Sequence, residues 1–107
     1  MAYKKGTFWT QLDSEHDLKI VKHEGWIDST NTYGLYKLRG GWIVADLASG
    51  TSLYWEKTRD ACLKQIENNA GIIATVKQTK KYAMQVEAFK VRIEEAKNGN
   101  QGVNSGV

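Results

Sequence analysis

Apolar and polar residues alternate most regularly between Tyr33 and Glu56, and a period of two predicts strands there. Gly40-Gly41 separates two extended runs and marks a two-residue hairpin turn. With that turn, Arg39 faces Trp42, Leu38 faces Ile43 and Tyr36 faces Ala45. One face then carries Tyr36, Leu38, Ile43, Ala45 and Leu47, all apolar, and is the expected core face. The other carries Leu35, Lys37, Arg39, Trp42, Val44 and Asp46, a mixed set that an antiparallel sheet can turn to solvent. In the third run, Thr51, Leu53 and Trp55 alternate with Ser52, Tyr54 and Glu56. Setting Leu53 opposite Ala45 and Trp55 opposite Ile43 keeps the apolar set inside. That register leaves Ala48-Ser49-Gly50 as a three-residue loop with Gly50 left-handed. A one-residue slip would bury Ser52 and expose Trp55.

The period then lengthens. Thr58 is placed to cap a helix from about Arg59 to Asn69, with Asp60 in its first turn and Cys62, Leu63, Ile66 and Ala70 along one side. Asn68-Asn69-Ala70-Gly71 reads as its stop, with Gly71 left-handed. The β-branched stretch Ile72 to Val76 reads equally as a strand or as the opening of the last helix. From Gln78 to Lys97 a helix is expected. Tyr82, Val86, Phe89, Ile93 and Ala96 recur at spacings of four, three, four and three, a heptad seam. Two heptads predict packing on the parent domain. A homodimer through Tyr82, Val86, Phe89 and Ile93 is the alternative.

The N-terminal third is read from weaker signals. Residues 1–7 are expected as a loose lead-in, with Phe8, Trp9 and Leu12 docking a short segment. Asp13-Ser14-Glu15-His16-Asp17 carries a capping residue and acids, which points to a short helix through Leu18 and Val21. The competing reading is a strand with Leu18, Ile20 and Lys22 on one face. Gly25 ends this element, and Ser29-Thr30-Asn31 reads as loop. Residues 98–107 are rich in Gly and Asn and are expected as a disordered tail. The predicted architecture is one α+β domain over 1–97. It has a three-stranded antiparallel meander packed against helices, in α-β-β-β-α order if the first helix forms, with a long C-terminal helix.

Composition narrows the function. The 107 residues suit one core, and the formal net charge is +3 with pI about 9.0. The excess sits in residues 71–107, so attraction to anionic partners centres there. A single cysteine, Cys62, rules out an intrachain disulfide and suits a reducing compartment. Lys4 and Lys5 precede no apolar signal core, and no apolar run is long enough to span a bilayer. A cytoplasmic protein is expected, of a size that suits bacterial or phage origin.

Catalytic signatures are weak. His16 and His23 lack a third ligand at a convincing spacing, so neither a metal site nor a cofactor is expected. Cys62 falls on the apolar side of its helix and reads as structural. The pairs Asp13/Asp17 and Glu94/Glu95 sit on surface-type stretches, so acid–base catalysis is not expected. The outer sheet face is the stronger candidate. Trp42 and Tyr54 beside Lys37 and Arg39 can stack bases, contact phosphates or serve a protein interface. Alternatively, the N-terminal segment covers that face through Phe8, Trp9 or Trp26. Lys77, Lys80, Lys81, Lys90, Arg92 and Lys97 make the last helix basic.

Gly41-Trp42-Ile43-Val44-Ala45-Asp46-Leu47, then Gly50, then Thr58 opening a helix, resembles the HicB-type antitoxin domain over residues 33–68. The resemblance implies a β-β-β-α unit and an antitoxin role. The α-β-β-β-α order looks like a double-stranded-RNA-binding domain, and Lys80-Lys81-Tyr82-Ala83 is loosely similar to that family's basic helix start. In size and style the chain is similar to small phage accessory proteins, including inhibitors of host CRISPR nucleases. The expected function is a non-catalytic binding module of phage or mobile-element type. It would act by protein–protein contact, as inhibitor of a host nucleic-acid enzyme or as antitoxin. The expected contact residues are Lys37, Arg39, Trp42, Tyr54, Lys77, Lys80 and Lys81. The alternative is direct nucleic-acid binding through the basic C-terminal helix and the aromatic sheet face.

Overall fold

A computed structural model describes residues 3–13 and 18–106, with side chains for 3–11 and 20–97. The elements follow in the order β1 (Tyr3–Asp13), β2 (Leu18–Asp28), β3 (Tyr33–Leu38), β4 (Gly41–Asp46), β5 (Thr51–Glu56), α1 (Arg59–Asn68), α2 (Ala70–Lys77) and α3 (Lys80–Gly106). The five strands form one antiparallel meander in sequence order. The α+β class and the long C-terminal helix are as expected. The strand count and the element order are not. Where a lead-in and a short helix were expected, Tyr3–Asp13 and Leu18–Asp28 pair along their whole length as a hairpin. The helix-start motif at residues 14–17 lies outside the described residues. Cross-strand pairing of Phe8, Thr10, Val21 and His23 outweighs the capping-type pattern, since helix propensity yields readily to tertiary context.

The hairpin does more than extend the sheet. β2 pairs with β3 only at Trp26↔Leu35 and Ile27↔Gly34. Beyond that point the hairpin bends across the Tyr36/Ile43 face, and Gln11 closes the curl by donating its backbone N–H to the Gly50 carbonyl at 2.8 Å. Phe8, Tyr36, Ile43 and Ala45 form a buried cluster beneath it, with Ile27 and Leu47 against the edge. The ring of Phe8 lies on Gly34, where a Cβ would meet it at 2.8 Å. Gly6 and Gly25 face each other at the bend, and glycines are the usual means of bending a strand this sharply.

The opposite sheet face is buried too. Leu35, Val44, Cys62 and Ile66 form the second core cluster, with Trp26, Tyr33, Trp42, Leu53, Tyr54, Leu63 and Ile73 around it. This overturns the expected assignment, in which α1 covered Tyr36 and Ile43 while Leu35 and Val44 looked outward. The two faces of β3 and β4 were separated as expected, while Leu53 of β5, expected with Tyr36 and Ile43, lies on the opposite face. What covers each face was reversed, because the unforeseen hairpin supplies a lid and frees α1 for the other side. Leu38 and Trp55, expected in the core, are 39% and 45% exposed. They lie past the reach of the hairpin, and the Trp55 indole N–H donates to the Leu38 carbonyl at 2.9 Å.

Both turns differ from expectation in register. The first turn is Arg39-Gly40, with φ of 50° and 77°, closed by Leu38↔Gly41. Two consecutive positive φ values match the twist of the flanking strands. Gly41 is held in the strand instead, because the Trp55 ring lies where its Cβ would be. The second loop runs from Leu47 to Gly50 inside the Asp46↔Thr51 pair, and Gly50 has the expected left-handed φ of 69°. Trp55 faces Ile43 as expected, but Ala45 faces Ser52 and Leu53 is bulged out of the ladder. The bulge turns Leu53 to the same side as Tyr54, adding apolar surface beneath α1.

Thr58 caps α1, accepting from the Ala61 N–H at 3.1 Å. Gly71 is not a left-handed stop. It lies inside α2, and the chain instead kinks at Asn69, whose side chain donates to the Gln65 carbonyl. Thr79 separates α2 from α3 and accepts from the Tyr82 N–H at 3.1 Å. The α3 backbone continues through the stretch from Asn98 that was expected as a tail. No helix of the described residues is long and apolar enough to cross a membrane.

His23 is enclosed by the curled hairpin. Its ring stacks on Tyr36 with centroids 3.8 Å apart, and its Nε2 shares a hydrogen bond of 2.8 Å with the buried Thr10 hydroxyl. Burial lowers its pKa from the ordinary 6.5. The fold therefore binds this proton less tightly than the unfolded chain does, and stability is present above pH 6.5 and lost as the pH falls below it. We expect the melting temperature to drop between pH 7.5 and 5. His23→Gln should flatten that dependence in a pH series of thermal melts, whereas an unchanged slope would place its origin elsewhere.

Candidate interaction site

Six of the seven expected contact residues separate into two places, and Arg39 belongs to neither. Lys37 and Trp42 pair across β3 and β4, with the Lys37 Nζ 5.4 Å from the Trp42 ring centroid. Two residues that strand alternation does not point to join them. Trp26 packs against Trp42 with centroids 5.4 Å apart, and the Arg59 guanidinium lies 5.7 Å and 5.4 Å from the two rings. Two cations therefore lie over the Trp42 ring, which is half-buried. Cation–π contacts at such partly exposed sites contribute about 0.5–1 kcal/mol each. A hollow of about 270 Å³ opens beside this cluster, lined by Tyr3, Trp26, Leu35, Arg59, Asp60 and Leu63. The Tyr3 hydroxyl is buried there without a hydrogen-bond partner among the described residues, and burial together with the nearby Asp28 carboxylate pushes its pKa up to about 12. Arg39 stands apart on the exposed hairpin turn.

Tyr54 and Lys77 belong to the second place, under α2. Its polar floor is Asp46, 2% exposed at the end of β4. One carboxylate oxygen accepts from the Ser49 hydroxyl at 2.7 Å, the Ser49 N–H at 3.2 Å and the Tyr82 hydroxyl at 2.7 Å. The other lies 3.5 Å from the Lys77 Nζ. Lys77 also sits 4.9 Å from the Tyr33 ring centroid. Burial and the bond to the Asp46 carboxylate raise the Tyr82 pKa above its ordinary value of 10.0. Asp46 thus ties the β4–β5 loop, α2 and the first turn of α3 to one buried charge. Removing one partner of such a pair costs more than the pair contributes, because the remaining groups lose their compensation.

Above that floor is a cavity of about 180 Å³ with apolar walls of Leu53, Tyr54, Ile72, Ile73 and Val76. It adjoins a wider groove along α3 lined by Gln11, Thr51, Lys81, Met84, Ala88 and Arg92, and the two share Thr51 and Gln85. Around them, Ile72, Val76 and Met84 are 65%, 49% and 72% exposed. Lys80 and Lys81 are exposed at the start of α3. The apolar content of Ile72–Val76 was visible in the sequence. Its meaning was not, because the stretch could equally have been a buried strand.

The heptad seam faces its own sheet. Phe89 is 2% exposed, and its ring lies against Gly50 where a Cβ would otherwise be. Val86 and Ile93 are half-buried. Cys62 is fully buried and donates its S–H to the Trp42 carbonyl at 3.4 Å, and burial raises its pKa. Among the described residues, no three His, Cys, Asp or Glu side chains converge. Comparison with protein-family models, curated proteins and solved structures finds no match to this chain.

Proposed function

We propose that this protein is a non-catalytic docking module that works by protein–protein contact, with α2 and the first half of α3 as its contact surface. The observation that carries this reading is α2 itself. Five of the eight residues in AGIIATVK are apolar, yet none is buried. A helix apolar on every side normally lies in a core. Large contiguous apolar exposure with a polar rim is characteristic of interaction sites. The inhibitor or antitoxin role implied by the family resemblance is one use of such a surface. Direct nucleic-acid binding is less favoured, since the Trp42 ring is already flanked by Lys37 and Arg59.

Ile72→Ser combined with Val76→Ser should remove capture of the natural partner in pull-downs of a tagged chain from its host. Exposed substitutions of this kind change stability by about 0.5 kcal/mol or less each, so the melting temperature should stay nearly constant. If the double variant retains the full partner set and Trp42→Ala loses it, the contact surface is the tryptophan cluster instead. If a labelled duplex or single strand binds the parent with a steep salt dependence, the nucleic-acid reading replaces this one.

A further inference from the structure

Building on the docking reading, we infer that the α2–α3 surface takes an acidic amphipathic segment of a partner protein. That segment would lower one large apolar side chain into the cavity between Tyr54, Ile73 and Val76. Three observations point to this occupant. The first is charge. Residues 70–86 contain Lys77, Lys80 and Lys81 and no Asp or Glu. Lys77 is occupied by Asp46 at 3.5 Å, which leaves Lys80 and Lys81 exposed on the rim. Arg92 lines the far end of the adjoining groove. An isologous contact between two copies would set this cationic face against itself, whereas carboxylates on a partner complement it.

The second observation is shape. The surface is concave: a cavity of about 180 Å³ continues into a groove along α3. A flat anionic bilayer would satisfy the lysines but leave that cavity unfilled, whereas a side chain projecting from a helix or turn can enter it. Such central, desolvated pockets are where interface energy concentrates. The third observation is chemistry. The cavity walls are Leu53, Tyr54, Ile72, Ile73 and Val76, and the one carboxylate of the floor, Asp46, is bonded by Ser49 and Tyr82 on one oxygen and faces the Lys77 ammonium at 3.5 Å with the other, which has no hydrogen bond among the described residues. The inserted group is therefore apolar, and the acidic groups belong on its flanks.

Three labelled helical peptides about 18 residues long separate the elements of this inference. One has a Leu/Trp stripe flanked by Glu, one has the same stripe flanked by Lys, and one keeps the Glu but replaces the stripe with Ser. The acidic striped peptide should bind the full chain saturably, with a Kd of about micromolar order, and shift the methyl resonances of Ile72, Ile73 and Val76. The basic and stripe-less peptides should bind at least about tenfold more weakly. Lys80→Glu with Lys81→Glu should weaken the acidic peptide while the melt is unchanged, and Ile72→Ser with Val76→Ser should abolish its binding. Equal binding of the acidic and basic peptides would overturn the inference. So would association with phosphatidylserine vesicles in place of peptide, or sedimentation showing that Ile72 and Val76 hold two copies together. If Ile72→Ser/Val76→Ser loses the natural partner but the acidic peptide does not bind, the docking reading stands and the partner chemistry assigned here is wrong. If neither effect occurs, the docking reading itself fails.

Discussion

Phe89→Ala should destabilise the protein by about 3–5 kcal/mol, the usual cost of emptying a fully buried aromatic site. For a domain of this length that corresponds to a fall in melting temperature of roughly 12–20 °C. The ring is 2% exposed and lies against Gly50, the left-handed residue of the β4–β5 loop. Removing it opens the contact that seats α3 on the sheet. The flanking tie, in which Tyr82 donates to Asp46 at 2.7 Å, does not involve the Phe89 ring and is expected to persist in the variant. We therefore expect α3 to loosen at its centre while its first turn stays anchored. Hydrogen exchange should show this as lost protection around residues 86–93. Met84→Ala, at a site 72% exposed, is the control and should change stability by about 0.5 kcal/mol or less. Sedimentation alongside the melts tests the seam directly. A change of association state in the Phe89 variant would place the seam at an interface, against the packing described here.

The second large effect is expected at Gly25. A Cβ at this position would overlap the Leu35 carbonyl oxygen and press on the Phe8 ring at 3.2 Å. Gly25→Val adds two further carbons at a place where the neighbour is backbone, which cannot rotate away. Overpacking of this kind costs about 1–3 kcal/mol or more. Here it also breaks the adjacent Trp26↔Leu35 pairing, one of the two residue pairs of the β2–β3 ladder. We expect a loss of about 3 kcal/mol, or roughly 12 °C. The variant should release the hairpin from the Tyr36 face. A rise in the solvent exposure of His23, read from its NMR titration moving toward 6.5, would report that release independently of the melt. Gly40→Ala is the counterpart. Gly40 has a φ of 77° but nothing within 4 Å of an added methyl group, so only the backbone preference of about 1–2 kcal/mol is lost.

The two variants test different links between sequence and fold. Phe89 lies on a helical seam that the spacing of Tyr82, Val86, Phe89 and Ile93 makes visible in the sequence. Gly25 reads there as the end of a short helix, and its function as a bend emerges only once β1 crosses the sheet. The same contrast runs through the candidate site. Lys37 and Trp42 could be placed on one face from strand alternation alone, but the expected register set Arg39 opposite Trp42, where the structure has Lys37. Trp26 was one of three residues, with Phe8 and Trp9, that the sequence offered as a cover for that face, and only the β2 placement selects it. Arg59 could not be added, because it reaches the cluster from α1, whose placement depends on which sheet face it covers. Asp46 could be seen to end a strand, but its burial depends on Ser49, Lys77 and Tyr82 converging from three separate segments.

Local patterning by itself determined the β3–β4–β5 meander, the division of β3 and β4 residues into two faces, the left-handed Gly50, the Thr58 cap and the amphipathic seam of α3. Each of these depends on interactions within a few residues or on a fixed side-chain period. Tertiary structure alone decided that both sheet faces are buried, with the hairpin over Tyr36 and Ile43 and α1 over Leu35 and Val44. Alternation identifies two faces but carries no label for what covers either one. It also decided that Trp55 is exposed at the sheet end while α2, for all its apolar residues, has none buried. Burial is a property of neighbours distant in sequence, and those neighbours were set here by a bend at two facing glycines.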